Sequence, residues 1–361
     1  MSIVEKIKLE NFRNLSDQIV LLEPNINCIY GLNGNGKTNV LEAIYLSINK
    51  KSFRKKAGFQ QMLSIDCEKP VIISSLTIKN HLNEIDYYSS VWESNKFRCL
   101  KNNNQKIRRP EINCVFVSPF DSFSFHNEST FRRTQLDLYI SSIFPEYKKT
   151  LNNYNKLLKQ KNFLLKLRNH DSSQLDAIDK VLAKQIVILS RYRNDFVNEI
   201  NPYLENIYHE IFSENVHLKA ELGTDFSSTD VGDVFAKIKS NRENDFKYGH
   251  SKVGPHRDEF NLMFNGFDSV EFCSLGQQKT AYLSLLFAYI NLFRYKFRVF
   301  PLVLIDDVSG ELDSIRLELL MRYLFKADYQ VVLTTANEEF KNNLSKFGDT
   351  NIVNVKDGFF H

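Results

Sequence analysis

The chain is poor in the residues that staple or anchor a protein. It has five cysteines among 361 residues, at Cys28, Cys67, Cys99, Cys114 and Cys273, with no CxxC pair. An odd, dispersed set argues against a disulfide framework and a thiolate zinc site, and it fits reduced thiols in a cytoplasmic protein. Long hydrophobic runs are missing as well. The longest, Leu285 to Ile290, falls far short of the ~20 residues a membrane helix needs. The first residues lack the apolar segment of a secretion signal, so no signal peptide and no membrane span are expected. There are no internal repeats and no low-complexity tract. Nor is there a strong excess of one charge: the net charge is +4, too small by itself to identify a nucleic-acid partner.

What is present is ordinary globular composition, 43% hydrophobic and 25% charged. The length allows two domains, or one domain with a large insertion. The first part reads as strand-rich. Residues 3–9 alternate, residues 26–30 form a strand entering a glycine-rich turn, and residues 71–79 and 85–92 read as further strands. A helix over residues 38–48 carries Val40, Leu41, Ile44 and Ile48 on one stripe. Between residues 130 and 215 the pattern becomes helical. Pro145 opens one helix, and residues 169–173 break it. A second runs from about Leu175 to about Asn201, ending before Pro202, so the two should form an antiparallel pair. Residues 277–293 are apolar nearly all round, hence a buried helix. Leu302 to Ile305 and Gln330 to Leu333 are continuous apolar strands of the kind a covered parallel sheet contains.

The residues Gly31-Leu32-Asn33-Gly34-Asn35-Gly36-Lys37-Thr38 match G-x4-G-K-[ST] at every fixed position, between a predicted strand and a predicted helix. The glycines let backbone N–H groups turn inward onto phosphate oxygens, and the helix N-terminus adds positive potential. Lys37 reaches the β- and γ-phosphates, and the Thr38 hydroxyl is a ligand for Mg²⁺. The apolar strand at 302–305 ends in Asp306 and Asp307. Alone, two acids could simply open a surface turn. After a phosphate loop, Asp306 is placed to hold Mg²⁺ and Asp307 to orient or deprotonate the attacking water.

About 270 residues separate the two elements, unlike small GTPases and nucleotide kinases. Cys273-Ser274-Leu275-Gly276-Gln277-Gln278 stands before the buried helix and resembles an ABC-ATPase signature of the S-x-G-Q type, although Ser274 also reads as a helix N-cap. The resemblance implies that Ser274, Gly276 and Gln277 contact the γ-phosphate held by the other copy in a dimer. Gly310-Glu311-Leu312-Asp313 resembles a D-loop. Thr334-Thr335-Ala336-Asn337 occupies the switch position, and the absence of histidine there counts against a transporter ATPase.

Further segments resemble the RecF family. They are Asn11-Phe12-Arg13-Asn14, Thr38 to Ala43, Ser52-Phe53-Arg54, Phe131-Arg132-Arg133 with Leu136-Asp137, Gln160-Lys161-Asn162 against the family's Q-R-N, and Gly254-Pro255-His256-Arg257-Asp258. Two positions depart: Phe120 follows Pro119 where the family has an acid, and Gly310 replaces a serine. The resemblance implies an α/β ABC-ATPase head with residues 1–120 plus 296–361 as lobe I, and 121–295 as a mostly helical lobe II carrying the signature. It implies ATP and Mg²⁺ as cofactors, an ATP-dependent homodimer, slow DNA-stimulated ATP hydrolysis, and action on gapped DNA at single-strand/double-strand junctions with RecR and, indirectly, RecA. A transporter ATPase subunit and a non-hydrolysing ATP-gated clamp are the rival readings.

Basic runs are the candidate DNA contacts. Residues 50–56 hold five positive charges, among them Lys51, Arg54, Lys55 and Lys56. Arg132 and Arg133 form a second site. Lys101, Lys106, Arg108 and Arg109, and the lysines from Lys148 to Lys166 including Lys161, are further runs. Such runs are usually solvated faces, but several on a nearly neutral chain imply segregated charge, as a backbone-reading DNA surface requires. Arg257 is left open between a nucleotide or DNA contact and a turn lock.

Overall fold

The computed structural model describes all residues except 1, 55, 56, 95, 168–171, 213–215, 227–229 and 311, and the side chain of residue 119. Two compact units emerge, residues 1–121 with 293–361, and residues 122–292.

The first unit holds two sheets. One is antiparallel, in the order β2-β1-β4-β5-β6-β7, from β1 (Ile3–Glu10), β2 (Ile19–Leu21), β4 (Val71–Lys79), β5 (Ile85–Glu93), β6 (Lys96–Lys101) and β7 (Gln105–Lys106). Its strands alternate buried and exposed residues, with Val4, Ile7 and Leu9 inward on β1. The other runs β15-β14-β3-β13-β12-β8, from β3 (Ile26–Tyr30), β8 (Cys114–Val117), β12 (Leu302–Ile305), β13 (Val331–Thr335), β14 (Thr350–Lys356) and β15 (Phe359–Phe360). All its pairings are parallel except β14 with β15. β12 and β13 are buried along their whole length; β12 is apolar throughout, and β13 ends in the buried threonines Thr334 and Thr335.

Helix α1 (Lys37–Asn49) shares one hydrophobic core with both sheets. Its residues from Val40 to Ile48 are therefore all buried, not just the single stripe the sequence suggests. Ser47 on α1 meets Ser74 on β4 at 2.5 Å. A one-turn helix, α2 (Phe59–Met62), follows, and α11 (Ser314–Lys326) and α12 (Glu338–Asn343) complete this unit. The chain crosses between units within α3 (Pro119–Asn127) and α10 (Leu275–Phe297).

The second unit surrounds a small antiparallel sheet, β11-β10-β9, from β9 (Leu218–Gly223), β10 (Glu259–Phe264) and β11 (Phe267–Asp268). Its helices include α4 (Ser129–Ile143), α5 (Pro145–Leu164), α6 (Ser172–Phe212), α7 (Val231–Ser240), α8 (Arg242–Tyr248) and α9 (Ser269–Phe272). Tyr147 meets Arg193 and Lys161 meets Asp179, so α5 and α6 run antiparallel. α6 does not stop at Pro202 but continues for another ten residues to Phe212. Proline costs a helix interior about 3 kcal/mol. Burial of Leu204, Ile207, Tyr208, Ile211 and Phe212 outweighs that cost, and the Asn201 side chain pairs with both backbone groups of Ala220 on β9. α10 likewise extends beyond the expected 277–293 at both ends.

Candidate nucleotide site

The phosphate loop leaves β3 and enters α1 through Gly34 and Gly36, whose φ angles of 86° and 105° lie in the region that excludes most side chains. A Cβ on Gly31 would lie 2.3 Å from the carbonyl oxygen of Val355, so the loop packs against β14 without room for a side chain. No side chain caps the start of α1, and its first turn carries no acid. Its unpaired N–H groups therefore remain available to an anion. The Lys37 ammonium donates to the carbonyl of Leu32 at 3.1 Å. Burial lowers its pKa, and the charges of Asp307 and Asp306 pull it back up. Such a group gains most from an added anionic partner.

Thr38 donates to both carboxylate oxygens of Asp306 at 2.9 Å. Thr334 donates to Oδ1 of the same group at 2.7 Å, and its hydroxyl accepts the backbone N–H of Asp307 at 2.8 Å. Burial raises the Asp306 pKa, and the hydrogen bonds from Thr334 and Thr38 oppose the rise. Two hard oxygen donors, the Thr38 hydroxyl and the Asp306 carboxylate, thus converge beside the loop. That donor set fits Mg²⁺, which takes few protein ligands and completes its shell with phosphate and water. Among the described residues no group of three or more His, Cys, Asp or Glu side chains could hold a metal on its own.

Asp307 has φ of 44°, in the left-handed region that few non-glycine residues adopt. A Cβ added at Gly310 would stand 2.9 Å from Asp307 Oδ2. The missing serine at this position thus leaves space that the Asp307 side chain occupies. Glu311 of the D-loop segment lies outside the described residues. Asp313 caps α11 through the N–H of Arg316.

Sequence reasoning missed the buried support behind the loop. Glu42 on α1 is fully buried and accepts from Arg13 Nε and Nη2 at 2.6 and 2.8 Å, and from Ser52 at 2.5 Å. Arg54 joins it at 3.3 Å and donates to Asn39 at 2.8 Å. Asn39 donates to Asn14, which donates to the carbonyl of Gly34 in the loop. The conspicuous segments at 11–14 and 52–54 are thus fastened to α1. The opposite charges of Arg13 and Glu42 were a visible signal, but nothing local in the sequence paired them.

In the second unit, Ser274 accepts from the N–H of Gln277 at 3.3 Å while its own N–H donates to Gln277 Oε1 at 2.9 Å. This reciprocal pair is a capping box, so Ser274 is the N-cap of α10. Gln278 pins the preceding turn by donating to the carbonyl of Ser269 at 3.1 Å. Ser274 and Leu275 are exposed, and Gly276 and Gln277 are half-buried.

The basic runs require correction. Arg132 is buried, donates to the carbonyl of Phe125 and pairs with Glu259 at 2.9 Å; Arg133 is bound to Glu259 and to the carbonyl of Asp258. Arg54 serves the Glu42 node, so its guanidinium is committed within the unit. Lys161 is fully buried between Asp179 and Asp245 at 3.1 and 2.9 Å. Lys101 is bound to Asp86 and Glu111. Lys51 is exposed, and Lys55 and Lys56 lie outside the described residues.

The family described as RecF/RecN/SMC N terminal domain matches residues 3–357. With the fold above, this defines the class: an ABC-type ATPase head of the SMC kind. Among solved structures, the Smc head domain of Pyrococcus furiosus shares the fold at TM-score 0.57 and 14% identity, covering 100% of this chain and 95% of that one. More specifically, the chain belongs to the RecF family. It is 32% identical to the DNA replication and repair protein RecF of Clostridium beijerinckii, over 98% of this chain and 97% of the relative. It is 32% identical to that of Lachnospira eligens, over 99% and 98%. A solved structure of the recombination mediator protein RecF with ATP in the RecFOR pathway matches at TM-score 0.82 and 26% identity, covering 100% of this chain and 99% of that one.

Proposed function

We propose that this protein is an ATP-switched DNA-binding protein of recombinational repair and replication restart. The observation that carries the reading is the convergence of Thr38, Asp306 and Thr334 behind an uncapped helix N-terminus. That arrangement suits a triphosphate with its metal, in a chain whose relatives are DNA replication and repair proteins.

The residue roles follow from chemistry. The loop N–H groups from Gly31 to Gly36 surround the phosphates, and Lys37 exchanges its carbonyl partner for the β- and γ-phosphate oxygens. Mg²⁺ held by Thr38 and Asp306 would neutralise charge on the phosphates. Asp307 orients or deprotonates the attacking water. Ser274, Gly276 and Gln277 of a second copy complete the site, because an exposed helix start favours the γ-phosphate. ATP thereby closes a symmetric dimer on DNA, with a preference for gaps and single-strand/double-strand junctions. Slow, DNA-stimulated hydrolysis reopens it. RecR is the direct partner, and RecA loading is the downstream step.

The reading is tested by binding to gapped duplex DNA with ATP and Mg²⁺, with ADP, and without nucleotide. Tight binding only with ATP is expected. Equal binding in all three conditions would remove the switch from the account.

A further inference from the structure

The segment Gly254 to Asp258 is absorbed neither by the nucleotide site nor by the signature, yet it is among the most firmly held parts of the second unit. Arg193, on α6, is 1% exposed and donates to the carbonyl of Pro255 and to Oδ2 of Asp258, both at 2.6 Å. His256 is clasped between the hydroxyl of Tyr154 at 2.6 Å and the carbonyl of Ser251 at 3.1 Å. A Cβ on Gly254 would lie 2.5 Å from that same Tyr154 hydroxyl, and its φ of 140° suits glycine. Asn162 accepts the N–H of Ser251, and Asp245 accepts that of Lys252. The whole stretch from 251 to 258 is therefore fixed from beneath.

What this frame presents outward is one chemistry. Tyr248 is 53% exposed. The ammonium of Lys252 lies 4.1 Å from its ring centroid and that of Lys247 5.7 Å. His250 bridges from the carbonyl of Tyr248 to the exposed guanidinium of Arg257 at 3.3 Å. The exposed Lys166 lies beside Gly249. No acid occurs from residue 246 to 257. The flanking acids, Asp245 and Asp258, are buried and committed to Lys161 and Arg193. Within residues 246–257 the exposed charge is positive and lies against an aromatic ring, and Glu243, one turn before Lys247 on α8, is the exposed acid that flanks it.

We propose that Tyr248, Lys247, Lys252, Arg257 and Lys166 form a binding site for single-stranded nucleic acid. An unpaired base stacks on the Tyr248 ring and the cations take the adjoining phosphates. Stacking on an exposed aromatic within a cationic surface is how single strands are held without sequence preference. A duplex keeps its bases stacked on one another and cannot use the ring. An acidic peptide could use the cations but would leave the ring idle. The site rests on the proposed DNA-binding function and assigns its single-strand component to this surface.

The test is fluorescence anisotropy with labelled oligo(dT), a blunt duplex and an oligo-glutamate peptide, using the full chain with ATP and Mg²⁺. Tyr248→Ala should weaken oligo(dT) binding about tenfold, the order expected for one lost stacking contact. Tyr248→Phe should keep it, since the ring remains. Lys252→Gln should reduce the salt slope for oligo(dT) by about 0.7, one released phosphate contact. Blunt-duplex affinity and ATP-dependent mass should not change. The assignment is overturned if Tyr248→Ala binds oligo(dT) like the parent, if it loses duplex binding equally, or if the peptide displaces oligo(dT) from the parent but not from Lys252→Gln. If the parent binds no nucleic acid at all, the proposed function fails too. If duplex binding persists and oligo(dT) ignores Tyr248, only this site fails.

Discussion

Thr334 holds both acids of the strand end with one hydroxyl: it donates to Asp306 Oδ1 at 2.7 Å and accepts the Asp307 N–H at 2.8 Å. The position where transport ATPases carry histidine here fixes the Asp306 carboxylate and the Asp307 backbone, the two residues proposed to hold the metal and the attacking water. Thr334→Val keeps the shape and removes both hydrogen bonds. A buried N–H left unpaired costs about 1–3 kcal/mol. Calorimetry without nucleotide should show the matching fall in melting temperature, and steady-state assays a lower ATP turnover. Unchanged turnover would mean that Thr334 does not position these acids.

Asp307 separates a hydrolysing switch from a passive clamp. Asp307→Asn should lower turnover by about 10²–10⁴-fold, the usual contribution of a general base, while ATP binding persists. Gly310→Ser should act in the same direction more weakly, because its Cβ would approach Asp307 Oδ2 to 2.9 Å and move the carboxylate. Single-turnover hydrolysis measures both. If Asp307→Asn turns over ATP like the parent, the chain is a binding module.

Burial raises the pKa of Asp306, so ionising it opposes folding. The stability that goes with its protonated form is fully present below the ordinary carboxylate value and is lost as pH rises through the raised folded value. Asp306→Asn should therefore melt higher than the parent at neutral pH without nucleotide, with the difference narrowing as the solution is acidified through the carboxylate range. The same variant should lose Mg²⁺-dependent ATP binding. A lower melting temperature at neutral pH would show that the carboxylate is structurally needed rather than held for a cation.

Arg193 is the keystone of the second unit, joining Asp137, Tyr147, Pro255 and Asp258. Arg193→Met leaves the buried Asp258 carboxylate without its cation and should cost about 3–5 kcal/mol. Urea unfolding should show this loss, and Tyr248-dependent oligo(dT) binding should weaken with it. A cost below that range would mean the network relaxes without its centre.

The sequence revealed what is local. The phosphate loop, the acid pair after an apolar strand and the cap at Ser274 each depend on neighbours within a few residues. The fully buried β12 and the first three residues of β13 were legible because short apolar runs suit a covered parallel sheet, whereas the burial of Thr334 and Thr335 was not. The hidden parts depend on distant partners. Glu259 neutralises Arg133 from 126 residues away, and Asp306 meets Thr38 across 268. Lys161 reads as a solvated charge until Asp179 and Asp245 surround it. Pro202 ends a helix by local preference, and only the packing of residues 204–212 carries it through.

The central claim is that ATP joins two copies through the loop of one and the Ser274 cap of the other. The direct measurement is solution mass by light scattering, with and without ATP and Mg²⁺. The parent should double in mass with ATP, Lys37→Met should neither bind ATP nor double, and Ser274→Arg should bind ATP yet remain a single chain. A parent that stays a single chain at saturating ATP, or a Ser274→Arg variant that doubles normally, would contradict it.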